Sequence, residues 1–212
     1  MAQRLNDIRQ LISNNPDKSS FFKLIGTFFP PAGKELRFIE LSYDVAERDF
    51  SGKIRDDKSG KYFEHLRAVA LIVLVYLRIR DPKIIAAALL HDIIEDIDNW
   101  TYDRLVLEFG IDVANLVWWV TKPPVTDFEG DKNARNRFFH HRLNGAPREV
   151  CIIKLADRLH NLITLWGTDP AKQSRKIQET QDFYLPIAEK HIILIHEIED
   201  ALSEVIKSVK ND

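Results

Sequence analysis

The feature of this sequence that most restricts its fold is an apolar run that ends in a cluster of ionisable side chains. Residues 84–90 contain only Ile, Ala and Leu, and the letters HDIIED follow directly at residues 91–96. Four ionisable groups in six residues are costly to bury unless another charge offsets theirs. The pattern therefore predicts a buried helix that ends beside a divalent metal ion. The alternative is a helix end with solvated acids and a histidine near its cap.

The scarcity of glycine indicates the fold class. The chain has 8 glycines in 212 residues, about half the usual share, and no Asn-Gly or Asp-Gly turn joins two alternating strand patterns. We therefore predict an all-α protein. Asp81 and Pro82 suit the N-cap and the first position of the helix that carries the apolar run. Helical patterns extend over residues 2–13, 62–78, 84–94, 102–109, 113–120, 135–143, 147–166 and 171–209.

Composition and charge exclude several kinds of protein. With 45% hydrophobic and 29% charged residues, the chain is typical of a soluble globular protein, and its net charge of −2 argues against a nucleic-acid binder. The longest apolar stretch, residues 69–77, is far shorter than the roughly 20 residues that a membrane-spanning helix needs. The single Cys151 excludes an internal disulfide framework and suits a reducing cytoplasm. We therefore predict a cytoplasmic protein with a small-molecule partner, without nucleic acid or membrane.

The spacing within residues 91–96 predicts how one helix could surround a metal ion. Adjacent His91 and Asp92 would point about 100° apart on a helix, so both could reach one ion placed between them. Glu95 and Asp96 would follow one turn later along the same two rows. One helix would thus supply two ligands and two further carboxylates.

A second polar pattern lies on the predicted helix 147–166. Asp157, Asn161 and Thr164 are spaced i, i+4 and i+7 and form one polar stripe among apolar positions. An aspartate that faces inward needs a cation or several hydrogen-bond donors, so Asp157 is a candidate distal ligand of the same ion. The alternative is an Asp157 that pairs with Arg158 or Lys154 at the surface.

His65 completes the set of candidate metal ligands. A lone histidine on an apolar helix is usually a satisfied core residue, but beside the other two motifs His65 becomes a candidate ligand. Two histidines and two aspartates suit Mn²⁺, Fe²⁺ or Zn²⁺. Four ligands would close a tetrahedral structural zinc site, whereas an octahedral ion keeps positions open for water and substrate, which indicates hydrolysis.

These motifs resemble a known family. The order His65, His91-Asp92 and Asp157 is similar to the H…HD…D signature of the HD-domain metal-dependent phosphohydrolases. More narrowly, HDIIED followed by KLADRLHNL at residues 154–162 resembles the hydrolase domain of the Rel/Spo (p)ppGpp hydrolases. Supporting similarities are KSG at 58–60, VTK at 120–122 and KIQET at 176–180, so the resemblance spans roughly residues 40–190.

The resemblance implies an HD-domain helical bundle around a buried metal site that binds Mn²⁺ and removes the 3′-pyrophosphate from ppGpp or pppGpp. It implies roles for particular residues. The metal ligands would be His65, His91, Asp92 and Asp157. Glu95 and Asp96 would position and deprotonate the attacking water. The nucleotide would contact Lys58, Asn161 and Thr164. Arg175 and Lys176, with Tyr184 nearby, are candidate phosphate contacts, and they compete with a basic segment that contains Lys132, Arg135, Arg137, Arg142 and Arg148. We expect Trp118 and Trp119 to be core residues.

The sequence departs from the family pattern at several positions. Asp57 occupies the place of an arginine that usually precedes Lys58, with Arg55 nearby, and Leu66 and Ile163 replace a usual proline and arginine. These changes affect guanine recognition rather than the metal ligands. The alternatives are therefore hydrolysis of another phosphorylated nucleotide such as NADPH, alarmone binding without turnover, or the activity of a general HD nucleotidase or cyclic-nucleotide phosphodiesterase.

The length suggests how the chain is organised. We predict an N-terminal helical extension over residues 1–32 and one hydrolase domain over 33–212. About twenty residues follow the resemblance, which leaves no room for a synthetase domain and predicts a free-standing hydrolase. The extension could cover the domain, cap the site or mediate self-association, so a homo-oligomer is compatible with the sequence.

Overall fold

The computed structural model describes residues 2–55, 60–165 and 168–211. Within these ranges the chain is helical and forms no sheet, since its one β-bridge joins Ile54 to Lys61 in isolation. The all-α prediction is confirmed. The helices are α1 (Ala2–Ser13), α2 (Lys18–Ile25), α3 (Lys34–Asp49), α4 (Tyr62–Leu71), α5 (Pro82–Leu90), α6 (Ile93–Asp96), α7 (Tyr102–Phe109), α8 (Ile111–Val120), α9 (Lys132–Asn144), α10 (Arg148–Ile163), α11 (Pro170–Glu179), α12 (Leu185–His191) and α13 (Ile195–Asn211).

Helix α5 lies at the centre of the bundle. Its apolar residues 84–90 are all buried, and α3, α4, α8 and α10 pack around it. Asp81 caps its N-terminus by accepting the backbone N–H of Lys83 at 2.8 Å, and Pro82 occupies the first turn. The chain therefore enters this buried helix at the position that the sequence predicts and carries its polar end into the interior.

Two long helices expected from the sequence are interrupted. The predicted helix 62–78 is α4 followed by the π-helical turn Ile72–Tyr76. The predicted helix 171–209 is divided among α11, the π-helical turn Thr180–Tyr184, α12 and α13. Pro186 has no backbone N–H to donate, which accounts for the wider turn before it. Ile192 and Leu194 then adopt positive φ angles of 55° and 54°, so the chain turns before α13.

The N-terminal segment packs into the same hydrophobic core as the rest of the chain. Leu5 and Ile8 of α1 and Phe21 and Ile25 of α2 are fully buried in that core. Helix α1 contacts α13 and α4. The boundary between residues 32 and 33 stays a prediction, but α1 and α2 contribute side chains to the central packing.

The two adjacent tryptophans of α8 have different surroundings. Trp119 packs partly buried against the core, as expected, whereas Trp118 is 44% exposed. The expectation that Trp118 is a core residue is therefore wrong, because α8 turns that position toward solvent. No described helix is both long enough and apolar enough to span a lipid bilayer.

Candidate metal centre and active site

The histidine–aspartate pair lies at a turn between two helices and not within one. Helix α5 ends at Leu90, His91 is its C-cap residue, and Asp92 has φ −103° and ψ 5° before α6 begins at Ile93. The prediction that one continuous helix carries residues 84–94 is wrong at this point. The side chains of His91 and Asp92 converge because the backbone turns between them.

Three buried side chains, from two helices and the turn between α5 and α6, have the spacing of metal ligands. His65 of α4, His91 and Asp157 of α10 each offer one donor atom, and these atoms lie within 4.8 Å of one another. His65 Nε2 is 3.2 Å and His91 Nε2 is 3.8 Å from Asp157 Oδ1. Imidazole nitrogens and a carboxylate oxygen are the donors of mixed sites for ions such as Mn²⁺, Fe²⁺ or Zn²⁺.

Asp92 lies beside this group and is oriented by a tyrosine. Its Oδ2 is 3.2 Å from His91 Nε2 and 3.9 Å from His65 Nε2. The Tyr62 hydroxyl donates to the same oxygen at 2.7 Å. Four side chains thus direct nitrogen or oxygen atoms toward a shared region, and Tyr62 is a supporting residue that the sequence did not single out.

The imidazoles are held so that their Nε2 atoms face the cluster. His91 Nδ1 lies 2.8 Å from the carbonyl oxygen of Ala88, and His65 Nδ1 lies 2.8 Å from His160 Nδ1. His91 Nε2 is buried and, although Asp92 Oδ2 lies 3.2 Å away, it forms no hydrogen bond with a described residue. A buried polar nitrogen normally has a partner, and a metal-ligating histidine typically forms a hydrogen bond through its other ring nitrogen. The residues therefore fit a divalent metal.

Lys154 supplies the positive charge that lies closest to Asp157. Burial alone would raise the pKa of the Asp157 carboxyl, but Lys154 Nζ, 2.8 Å from Oδ2, holds it well below its usual range. The alternative to a metal ligand that the sequence allows is such a pair at the surface. The structure buries it, because Lys154 and Asp157 both point from α10 into the interior. The pair uses Oδ2, while Oδ1 faces the histidines.

Glu95 and Asp96 lie at the end of the short helix α6, on the wall of a cleft. Glu95 accepts the backbone N–H of Lys122 at 3.1 Å, and the carbonyl of Asp96 accepts the ammonium of Lys53. Desolvation against the cleft wall and the charge of Asp92 raise the pKa of Glu95, and burial also raises that of Asp96. A carboxylate with a raised pKa is a stronger proton acceptor near neutral pH.

The cleft above the metal-ligand cluster holds about 330 Å³ and carries both signs of charge. Its carboxylates are Asp92, Glu95, Asp96 and Asp157, and its cations are Arg55, Lys122, Lys154, Arg158, Lys172 and Lys176. Such a cleft accepts an anionic ligand beside a metal, since the cations balance phosphate charge while the carboxylates face the ion.

One end of the cleft is built around Arg55. Its Nη2 donates to Asn161 Oδ1 at 2.9 Å and to Thr164 Oγ1 at 3.2 Å, and Asn161 Nδ2 donates to Asp157 Oδ1 at 2.5 Å. The predicted polar stripe of α10 is therefore a connected chain of hydrogen bonds. Arg55 reaches it because the loop ends pair, Arg55 N donating to the carbonyl of Gly60 at 3.1 Å.

The other end of the cleft is built around Glu179. This carboxylate accepts from Arg158 Nη2 at 2.8 Å and from Lys176 Nζ at 3.5 Å, and His140 Nε2 lies 3.2 Å away. Burial and the nearby Arg158 lower the pKa of Lys176 to about 8. Tyr184 also lines this part, with the Arg158 guanidinium 3.8 Å from its ring centre.

Not every predicted contact is brought to the cleft. Asn161, Lys176 and Tyr184 line it, whereas Arg175 is exposed and is not among the described lining residues. Lys58 lies outside the described residues. None of the cations named in the basic segment 131–148 lines the cleft in the part of the chain that is described.

Several residues of the site could not be assigned from sequence alone. These are Arg55, Tyr62, Lys122, Arg158, His160 and Glu179. The only signal for most of them was their place within or near a family-like motif. Their partners lie on other helices, so only the folded chain shows what they contact.

Comparison with known proteins agrees with this arrangement. The family described as HD domain matches residues 42–193. The bifunctional (p)ppGpp synthase/hydrolase SpoT of Escherichia coli K12 is 36% identical over 189 residues, which cover 88% of this chain and 26% of that protein. A GTP pyrophosphokinase of Streptomyces coelicolor is 41% identical over 157 residues, which cover 73% of this chain and 18% of the relative.

A solved structure extends the comparison to the whole fold. It is of a metazoan orthologue of SpoT described as hydrolysing ppGpp, with 27% identity and a TM-score of 0.61, and it covers 84% of this chain and 96% of the other. The chain spans about a quarter or less of the length of the curated relatives named here. Since the family match includes most of the sequence and all four candidate ligands, this chain belongs to the HD-domain family.

Proposed function

We propose that this protein is a divalent-metal-dependent hydrolase that converts ppGpp and pppGpp to GDP and GTP with release of pyrophosphate. The observation that carries the proposal is the His65, His91 and Asp157 cluster, which opens with Glu95 and Asp96 onto a cleft rich in cations. The names of the relatives, which include guanosine-3′,5′-bis(diphosphate) 3′-pyrophosphohydrolases, support the choice of substrate.

The metal would be held by His65, His91, Asp92 and Asp157, and we propose Mn²⁺ in the cell. When bound, a divalent ion supplies Lewis-acid polarisation of a phosphate oxygen and lowers the pKa of water. Tyr62 keeps Asp92 in position, and the contacts of His65 with His160 and of His91 with Ala88 keep each Nε2 directed inward.

Glu95 and Asp96 would orient the attacking water and take its proton. The water oxygen forms a bond to the phosphorus next to the 3′ oxygen and the bond between that phosphorus and the 3′ oxygen breaks. The proton taken from the water passes to the 3′ oxygen, so GDP or GTP leaves with a 3′ hydroxyl. The backbone N–H of Lys122 fixes Glu95 against the cleft wall. This bond keeps the carboxylate from turning away toward solvent.

The two ends of the cleft suggest how the substrate lies. The end with Lys122, Arg158 and Lys176 would bind the 3′-pyrophosphate, since their ammonium and guanidinium groups line the same cleft as Glu95 and Asp96. The end with Arg55 and Asn161 would bind the nucleoside. Arg55 reaches this position although residue 57 is an aspartate, so it would replace the arginine that the family pattern places there.

A metal-dependent assay tests the proposal. Purified protein with Mn²⁺ and ppGpp should give GDP and pyrophosphate, and Asp92→Ala should lose at least about a hundredfold in kcat because a ligand is missing. Asp98→Ala, an exposed aspartate two residues beyond α6, should retain activity. Lack of turnover by correctly folded, Mn²⁺-loaded protein would refute the proposal, and hydrolysis of NADPH alone would replace ppGpp as the substrate.

A further inference from the structure

A second cleft of about 860 Å³ adjoins the first. It lies between α8, α9 and the turn Val125–Phe128. Glu95, Asp96 and Lys122 line both clefts, so the catalytic carboxylates form part of the boundary between them. The proposed hydrolysis of the 3′-pyrophosphate uses none of the other residues of this second cleft.

Aromatic side chains form the apolar part of the second cleft. Trp118 is 44% exposed and Phe138 is 50% exposed, although both are large hydrophobic residues. Phe128 lies beside Phe138 with 5.4 Å between ring centres. Exposed aromatic faces that border a cavity are suited to stacking with a planar ring, as nucleobases do on such residues.

Two arginines in this cleft have no anionic partner. Arg135 and Arg142 lie two turns apart on α9 and line the cleft, and neither forms an ion pair with a carboxylate among the described residues. The Nε atoms of both are buried and lack hydrogen-bond partners.

Arg142 is placed as a fixed part of the cleft wall. Its guanidinium lies 4.5 Å from the centre of the Trp118 ring and 5.3 Å from that of Phe139, and it donates to the carbonyl of Thr121. Burial lowers its pKa, with no carboxylate near enough to compensate. Glu95, Asp96 and Asp127 also line this cleft, but none of them forms an ion pair with Arg135 or Arg142 among the described residues. The wall that the two arginines form is therefore complementary to an anion with an aromatic body.

We propose that this second cleft binds a purine nucleoside phosphate as an effector, with its base against Trp118 and Phe138 and its phosphate toward Arg135 and Arg142. An apolar ligand would leave both guanidiniums unpaired, and a free phosphate would leave the aromatic faces uncovered. Because Glu95 and Lys122 border both clefts, occupancy of the second cleft should change the affinity of the first cleft for its ligand. By linkage, a ligand in the first cleft changes affinity in the second by the same factor.

Fluorine NMR of protein labelled with 5-fluorotryptophan tests this site locally. The Trp118→Phe variant assigns the Trp118 resonance, and GDP should shift it saturably, whereas ribose 5-phosphate should not because it lacks the base. Arg135→Gln should weaken this binding roughly tenfold, the amount expected from one charged hydrogen bond. Arg137→Gln, an exposed residue of the same helix, is the matched control and should leave it unchanged.

The outcomes separate this proposal from the proposed hydrolysis. The GDP-induced shift should persist in Asn161→Ala, which alters only the first cleft. Phe138→Ala should weaken GDP binding to the second cleft, and it serves as a second test if Arg135→Gln reduces stability. If GDP does not shift the Trp118 resonance at millimolar concentration, or if both Arg135→Gln and Phe138→Ala bind GDP with the affinity of the wild type, the second site does not exist. Either result stands whether or not the protein hydrolyses ppGpp.

Discussion

At the scale of single residues, the properties of the cleft depend on how each charge is compensated. Lys154 is paired with Asp157 at 2.8 Å, and Arg158 with Glu179 at 2.8 Å. Lys176 shares Glu179 with Arg158 but lies farther from it, at 3.5 Å, and its side chain is 30% exposed. Lys176 is therefore a cation that can respond to substrate, since its charge is the least firmly compensated of the three.

Lys176 should give the reaction an alkaline limit. Its pKa is lowered to about 8 by burial and by Arg158, so the ammonium loses its proton as the pH rises through that value. We expect kcat/KM for ppGpp to fall above about pH 8, because this ratio reports groups of the free enzyme.

Two substitutions test this assignment by their pH profiles. Lys176→Met should lower kcat/KM at neutral pH by roughly tenfold, the worth of one charged contact, and should flatten the alkaline limb. Lys176→Arg keeps the charge at every pH used. It should therefore retain activity, and its kcat/KM should begin to fall only at a higher pH than in the wild type. A limb that is identical in wild type, Lys176→Met and Lys176→Arg would show that another group titrates.

At the scale of helices, local sequence predicts starts better than interruptions. Asp81 and Thr101 cap α5 and α7 with their own side chains, and both helices begin where the sequence indicates. No glycine marks the turn at His91-Asp92 or the positive φ angles of Ile192 and Leu194 in the sequence. Packing of the surrounding helices determines these backbone shapes, so local periodicity could not predict them.

In the candidate site, too, features of local sequence could be predicted and contacts between distant residues could not. The four candidate ligands and the two candidate catalytic carboxylates could be proposed from the sequence because their spacing is characteristic. Contacts between separate elements could not: Arg55 meets Asn161 across 106 positions of sequence, and His65 meets His160 across 95. Asp57 occupies the usual place of an arginine with Arg55 nearby in sequence, and only the folded chain shows that Arg55 contacts Asn161 and Thr164.

Helix α1 should contribute to the stability of the whole chain. Ile8 is fully buried in the common core, and α1 packs on α13 and α4. Ile8→Ala should therefore reduce the free energy of unfolding by about 2–5 kcal/mol, the usual cost of such a cavity. Urea unfolding followed by circular dichroism measures this cost and should show one transition.

The matched control for this prediction is Leu107→Ala, at a side chain that is 85% exposed. It should change the free energy of unfolding by less than about 0.5 kcal/mol. A separate unfolding transition for Ile8→Ala, with the main transition unmoved, would mean that residues 1–32 form an independent extension.

At the scale of the whole molecule, many cations lie in one cleft although the net charge of the chain is slightly negative. The chain has a net charge of −2, yet six cations line one cleft of about 330 Å³. Opposite charges elsewhere, such as Arg4 near Glu197 and Arg9 bonded to Glu204, join surface elements and leave the cleft unaffected. If the proposed hydrolysis of a polyanion is correct, it needs no basic surface, because a metal ion and a few local cations would provide the attraction.

Metal binding should stabilise the entire fold, because the candidate ligands come from α4, α10 and the turn between α5 and α6 and meet only in the native state. An ion that binds only the native state stabilises it by about 2.7 kcal/mol at a hundred times its Kd. Differential scanning calorimetry should show Tm rising with Mn²⁺ and falling in chelator. Ca²⁺, which prefers oxygen ligands, should have a smaller effect. Asp92→Asn should lose the Mn²⁺ dependence and the exposed Asp98→Asn should keep it, whereas an equal Mn²⁺ response in both variants would place the ion elsewhere.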